Sequence, residues 1–163
     1  MALSTFVYIR DVENLSDARY CAGMGVDMIG FRLDTSLENA LDTPKFTEIS
    51  NWISGVKLVG EFGKTPHEKV KDIITNASVD YLLVTEISQL DAHAALEKPL
   101  ILQIDIHRSI DDQLSALNYT TAEFDYLLLT SAETSLNDAD KKIIKELSAQ
   151  YPVLLGFGID EQN

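Results

Sequence analysis

The chain has 163 residues, 45% of them hydrophobic and 24% charged, which suits one soluble core and leaves no room for a second domain of ordinary size. Its formal net charge of -13 repels polyanions and anionic lipid headgroups, so nucleic acid and membrane surfaces are poor partners, and a small molecule or a protein is the better expectation. No apolar run approaches the ~18 residues of a membrane span, Met1 to Thr5 lacks the layout of a secretory signal, and the expected compartment is the cytoplasm.

Short apolar runs alternate with amphipathic stretches. The first run, Thr5 to Ile9, leads into a helical pattern from Asn14 to Met24. Cys21, the single cysteine, lies inside that pattern, which excludes an internal disulfide and a cysteine-based metal cluster and reads as a small buried hydrophobe. The second run is Asp27 to Phe31, followed by a helix expected over Pro44 to Ile53. After the third run, Val56 to Phe62, Thr65 and Pro66 read as a cap and first helical position, with Glu68 completing a capping box for a helix over Pro66 to Ala77. The remaining runs are Asp80 to Val84, Pro99 to Ile104, Asp125 to Leu129 and Val153 to Leu155, separated by helices expected over Ser88 to Leu96, Ile110 to Leu117 and Asp138 to Gln150. The seven runs are continuously apolar and not alternating, as strands covered on both faces must be.

A weak repeat runs through these elements. Val26-Asp27-Met28-Ile29, Val79-Asp80-Tyr81-Leu82 and Phe124-Asp125-Tyr126-Leu127 open the second, fourth and sixth runs alike. Successive runs are roughly 25 residues apart, the size of one βα unit. A parallel α/β architecture follows, either a closed (β/α)8 barrel or an open doubly wound sheet. The first run is followed by no G-x-G-x-x-G or P-loop pattern, which removes the usual support for a nucleotide-binding open sheet.

The opening Val12-Glu13-Asn14-Leu15-Ser16-Asp17-Ala18, with Gly23-Met24-Gly25-Val26-Asp27-Met28-Ile29-Gly30-Phe31 after it, resembles the phosphoribosylanthranilate isomerase family. Val59-Gly60-Glu61-Phe62 is similar to that family's third strand, Val79 to Thr85 falls where its fourth belongs, and Gly156-Phe157-Gly158-Ile159 resembles its glycine loop after strand seven. The resemblance implies a (β/α)8 TIM-barrel fold and a cofactor-free Amadori rearrangement in tryptophan biosynthesis. That chemistry needs one group to protonate the ribose ring oxygen and another to take a proton from C2. In the family these are an aspartic acid ending strand six and a cysteine ending strand one.

Here those two positions hold Thr130 and Arg10. A guanidinium stays protonated at any accessible pH, and an unactivated hydroxyl is a poor acid at neutrality. An arginine that the family uses near the anthranilate has no counterpart between Asp34 and Pro44. The expectation is therefore a family member that does not catalyse the isomerisation and binds a small phosphorylated or carboxylated ligand or a protein.

Barrel enzymes of this kind work at the C-terminal ends of their strands. Those ends carry Arg10 and Asp11, Arg32 and Asp34, Glu61, Thr85 and Glu86, Asp105 and His107, and Thr130. Arg10 and Arg32 top neighbouring strands and suit bidentate capture of a phosphate or carboxylate; equally, each suits an ion pair with Asp11, Asp34 or Glu61. Asp105 and His107 read either as an oriented general base or as solvated loop residues. Asp11, Asp105 and His107 are the candidates for a different mechanism acting on a sugar phosphate. Gly156 and Gly158 offer backbone N–H groups to a phosphate, or serve only a tight turn. His67 and His93 fall in helices and have no metal-ligand company, so no metal and no cofactor are expected. Seven runs without an eighth βα unit leave the first and seventh strands as edges, so the expectation is a piece of a longer protein, or else closure by dimerisation or non-barrel packing; a structural or interaction protein, a homo-oligomer built on edge-strand pairing, is a further reading.

Overall fold

The computed structural model describes residues 5–133 and 135–157. Along them seven strands and six α-helices alternate in chain order, and the chain divides into two compact units, residues 1–83 and 84–163. No helix among the described residues is long and apolar enough to cross a membrane.

The first unit contains β1 (Tyr8–Ile9), α1 (Leu15–Gly23), β2 (Met28–Arg32), α2 (Thr43–Ser50), β3 (Lys57–Gly63) and α3 (His67–Asn76), with β4 (Tyr81–Val84) at its boundary. Its strands pair parallel and in sequence order, with Tyr8 opposite Met28 and Arg32 opposite Glu61. Met28, Ile29 and Phe31 of β2 and Val59 and Phe62 of β3 are buried, and Phe31 meets Phe46 of α2 edge-on at 5.4 Å between ring centroids. Side chains of this size each contribute about 1.5–3 kcal/mol on leaving water. Asn14 caps α1 by accepting the N–H of Asp17, and Asp42 caps α2 by accepting that of Lys45.

The second unit contains α4 (Leu90–Ala94), β5 (Leu100–Asp105), α5 (Ile110–Leu117), β6 (Tyr126–Thr130), α6 (Asp138–Ser148) and β7 (Val153–Leu155). Again the strands are parallel and in order: Ile101 faces Tyr126, Asp105 faces Thr130, and Leu129 faces Leu155. Ile101, Leu102, Ile104 and Leu127 to Leu129 form its buried centre.

The repeated aspartate has a mechanical role in both units. Asp27, Asp80 and Asp125 each precede an even-numbered strand, and their carboxylates accept the backbone N–H groups of Val7, Leu58 and Leu100 at 2.8, 2.8 and 3.0 Å. The N–H groups of the same three aspartates donate back to the carbonyls of Val7, Leu58 and Leu100. Each aspartate thus pins the start of its strand to the start of the preceding one and sets the register from there.

Three local expectations are corrected. Thr65 does not cap α3: its hydroxyl is taken by Asp34 at 2.7 Å and the Phe62 carbonyl at 2.6 Å, and Pro66 stands at the cap with no side-chain bond. The helix expected over Ser88 to Leu96 is a 3-10 turn, Ile87–Gln89, followed by the short α4; Glu97 adopts a left-handed conformation (φ 55°) and Pro99 disfavours continuation just beyond. Cys21 is half-buried and not enclosed, because α1 buries only Ala18 while Tyr20 stays 69% exposed.

Candidate functional sites

In the first unit the parallel register brings the ends of β1, β2 and β3 together. Glu61, only 2% exposed, is at the centre. Its Oε1 accepts the Tyr8 hydroxyl at 2.5 Å and the Arg10 Nε–H at 3.2 Å, while its Oε2 is buried with no hydrogen-bond partner. Burial pushes the Glu61 carboxyl above its ordinary pKa, against the opposing pull of Arg10 and Tyr8, and the nearby Asp11 charge adds to the rise. Burial and the Glu61 charge likewise push the Tyr8 phenol well up. For Arg10, burial is the largest influence and works against the charge, but Glu61, Tyr8 and Asp11 together prevail and hold the guanidinium above its ordinary value. Gly30 makes the space: a Cβ there would overlap Glu61 Oε1 and stand 2.7 Å from the Tyr8 hydroxyl.

Arg32 turns its Nε to Asp11 at 2.6 Å and donates through Nη1 to the Glu38 carbonyl at 3.0 Å. Both arginines are thus held in ion pairs, with 27% of the Arg10 and 32% of the Arg32 side chain exposed. Asp11 itself is exposed and adopts a left-handed backbone (φ 55°). Asp34 belongs to a separate group with Lys69 Nζ at 2.5 Å, Ser36 and Thr65. Burial would raise its carboxyl, yet the bonds from Lys69, Ser36 and Thr65 prevail and hold it far below the usual carboxylate range.

In the second unit Thr130 receives the Gln103 amide at 3.2 Å and points its hydroxyl at the Ile104 carbonyl at 3.3 Å. Of the two readings of the pair, the one in which Asp105 orients the His107 ring does not hold; the Asp105 carboxylate accepts the His107 backbone N–H at 2.9 Å. The imidazole instead bridges two groups distant in sequence. Its Nε2 lies 2.7 Å from Asp140 Oδ1 and its Nδ1 lies 2.6 Å from Ser131 Oγ. Asp140 is buried at the start of α6, where its Oδ2 also accepts the Asn137 N–H at 2.9 Å as half of a capping box. That backbone bond is the chief reason its carboxyl lies below the ordinary range; burial opposes it, and His107 adds to the lowering. Phe157 packs edge-on against the imidazole, with ring centroids 6.2 Å apart.

Gly156 does not present its N–H to a ligand: it donates to the Leu129 carbonyl at 2.8 Å, continuing the pairing of β7 with β6, and a Cβ there would crowd Thr130 and Leu129. Gly158 lies outside the described residues. Among the described residues no group of three or more His, Cys, Asp or Glu could hold a metal ion. Ser131, Asp140, Tyr8 and Lys69 are the site residues that the sequence did not single out. The Asn137-x-x-Asp140 capping pattern was a usable signal for Asp140; Tyr8 carries none.

No sequence-family model matches the chain, and no curated protein matches it by sequence. Solved structures do match in fold. The phosphoribosylanthranilate isomerase of Thermus thermophilus superposes with a TM-score of 0.79 at 19% identity, over 98% of this chain and 80% of that one. The Thermotoga maritima isomerase gives 0.78 at 21% identity, over 100% and 80%. A third structure, at 0.75 and 21% over 100% and 79%, is an isomerase in complex with reduced 1-(o-carboxyphenylamino)-1-deoxyribulose 5-phosphate. The fold of this chain is therefore the parallel (β/α)-barrel type of those isomerases, as the sequence resemblance implied, with seven strands among the described residues.

Proposed function

We propose that this chain is a barrel of the phosphoribosylanthranilate isomerase type that does not perform the isomerisation and instead binds a small anionic ligand. The observation that carries this reading is Arg10. The resemblance assigns its position to the catalytic base, and here a guanidinium stands there whose pKa Glu61 holds up, so it has no lone pair to receive the C2 proton. Thr130, at the position of the acid, directs its hydroxyl to a main-chain carbonyl of the adjacent strand. Purified protein incubated with phosphoribosylanthranilate should leave the substrate's fluorescence unchanged beyond the spontaneous rate. Turnover, or rescue of a tryptophan auxotroph lacking the isomerase, overturns the reading.

Binding of an anion is supported by Arg10 and Arg32, two partly exposed guanidiniums at neighbouring strand ends in a chain of net charge -13. The isomerase complex described above holds a ligand with both a phosphate and a carboxylate, the two groups an arginine pair suits. An incoming anion competes with Asp11 for Arg32, so binding should weaken as salt rises. Calorimetric titration with that reduced compound should give heat, and Arg32→Ala should remove it; silence in the parent protein sinks this part of the proposal.

A second reading, an enzyme of different mechanism on a sugar phosphate, is favoured by Glu61. Burial, with Asp11 adding, shifts its carboxyl in the direction that a general acid needs. A panel of sugar phosphates followed by NMR tests it: conversion of any of them that Glu61→Gln abolishes supports this reading, and no conversion counts against it.

A further inference from the structure

We propose that Ser131, His107 and Asp140 form a nucleophilic centre in the second unit, with Ser131 attacking small uncharged carboxylic esters. The three side chains come from the end of β6, the turn after β5 and the first turn of α6, and they form one continuous chain of contacts: Ser131 Oγ to His107 Nδ1 at 2.6 Å, His107 Nε2 to Asp140 Oδ1 at 2.7 Å. This arrangement goes beyond the anion-binding reading and shares no residue with it.

The direction of proton flow follows from the partners. Asp140 is buried, holds the Asn137 N–H on its other oxygen and has a lowered pKa, so it is an ionised acceptor. In the neutral form of the imidazole an ionised acceptor at Nε2 keeps the hydrogen on that nitrogen, which leaves the Nδ1 lone pair for the Ser131 hydroxyl. The hydroxyl therefore donates to a base, the condition that turns a serine into a nucleophile. The Glu133 backbone N–H also donates to Ser131 Oγ at 2.8 Å and holds the oxygen in place beside the imidazole. The Phe157 ring against the imidazole limits its rotation. The His107 side chain keeps 31% of its exposure and Ser131 is half-buried, so a small substrate reaches the pair from solvent. The net charge of -13 and the exposed Glu133 nearby disfavour anionic esters.

The reaction balances with water as the only co-reactant. Ser131 Oγ bonds to the ester carbonyl carbon while its proton passes to His107 Nδ1; the carbon–oxygen bond to the alcohol breaks, and the alcohol leaves with that proton. Water then attacks the acyl-serine and gives a proton to Nδ1, and the departing Ser131 oxygen takes it back as the carboxylic acid is released. His107 is the base and acid; Asp140 is a positioning residue that holds the tautomer.

The test uses the whole chain. Treatment with phenylmethylsulfonyl fluoride, followed by peptide mass spectrometry, should place the sulfonyl adduct on Ser131. p-Nitrophenyl acetate should be hydrolysed faster than in buffer. Ser131→Ala should abolish both the adduct and the excess rate, and His107→Gln should lower that rate by about 10²–10⁴-fold. Asp140→Asn should lower kcat with little change in KM, while circular dichroism reports an unchanged fold. An untouched Ser131 in the parent protein, or ester hydrolysis that persists in Ser131→Ala, overturns the proposal. The adduct map is read on the parent chain, so the test stands even where a variant fails to fold.

Discussion

The Asp80 carboxylate accepts the backbone N–H of Leu58 at 2.8 Å, and the Asp80 N–H returns a bond to the Leu58 carbonyl at 2.8 Å. This two-way bond locks β4 to the second residue of β3, and Asp27 with Val7 and Asp125 with Leu100 repeat it. Asp80→Ala leaves the Leu58 N–H without that acceptor at a partly buried place, so it should destabilise the chain by about 1–3 kcal/mol. Urea unfolding measures this. Lys57 also pairs with Asp80, but exposed ion pairs contribute little, so Lys57→Ala should cost much less. Equal losses in the two variants would mean that the ion pair and not the backbone latch carries the effect.

The same latch shows how far the sequence could be read. The Val-Asp openings mark the strand starts, and the continuous apolar runs mark burial on both faces, so the seven strands were legible from local composition. What local composition does not carry is competition between partners. Thr65, Pro66 and Glu68 satisfy every rule for a helix start, yet a buried carboxylate 31 residues away claims the threonine hydroxyl. His107 likewise sits two residues from Asp105, but its ring pairs with Asp140, 33 residues on. The register that Asp125 sets is the missing link. Once Asp105 is opposite Thr130, the residues just beyond them, His107 and Ser131, emerge side by side.

Asp34 ties pH to stability in a definite direction. Its folded carboxyl is held far below its unfolded value, so its contribution is fully present above about pH 4 and is lost as pH falls through the folded pKa. Thermal melts from pH 6 to pH 2 should therefore show a falling Tm. Asp34→Asn, which cannot ionise, should have a lower Tm at pH 6 and a shallower fall below pH 4. A slope unchanged by the substitution would show that other carboxylates account for acid sensitivity.

Glu61 acts in the opposite sense. Its folded pKa is raised, so the unfolded chain releases this proton first as pH increases. The stability Glu61 gives is complete below its unfolded value of about 4.3 and declines as pH rises through the folded pKa. Replacing it with glutamine removes this proton exchange while keeping an oxygen for the Tyr8 hydroxyl. In Tm against pH, the Glu61→Gln curve should lack the parent's loss above about pH 4.3. If both curves decline in parallel there, the buried carboxyl is not the source.

Gly30 gives the sharpest steric test of the first site, because the space its missing side chain leaves is filled by the atoms that make up the Tyr8–Glu61 contact. Gly30→Ala forces Glu61 to move, and both of its oxygens are buried among neighbours with little slack. Overpacking of this kind costs about 1–3 kcal/mol, to which the loss of the Tyr8 and Arg10 bonds adds. Gly23→Ala is the control, since a Cβ there meets nothing within 4 Å. It also sits at the last position of α1, where alanine is the better helix former. Urea unfolding should rank the variants with Gly30→Ala well below the parent and Gly23→Ala at or above it. The double variant Gly30→Ala/Glu61→Ala decides the mechanism: removing the obstructing carboxylate should recover part of the alanine's cost, and strictly additive losses would show that Gly30 is needed for a reason other than the room it gives Glu61.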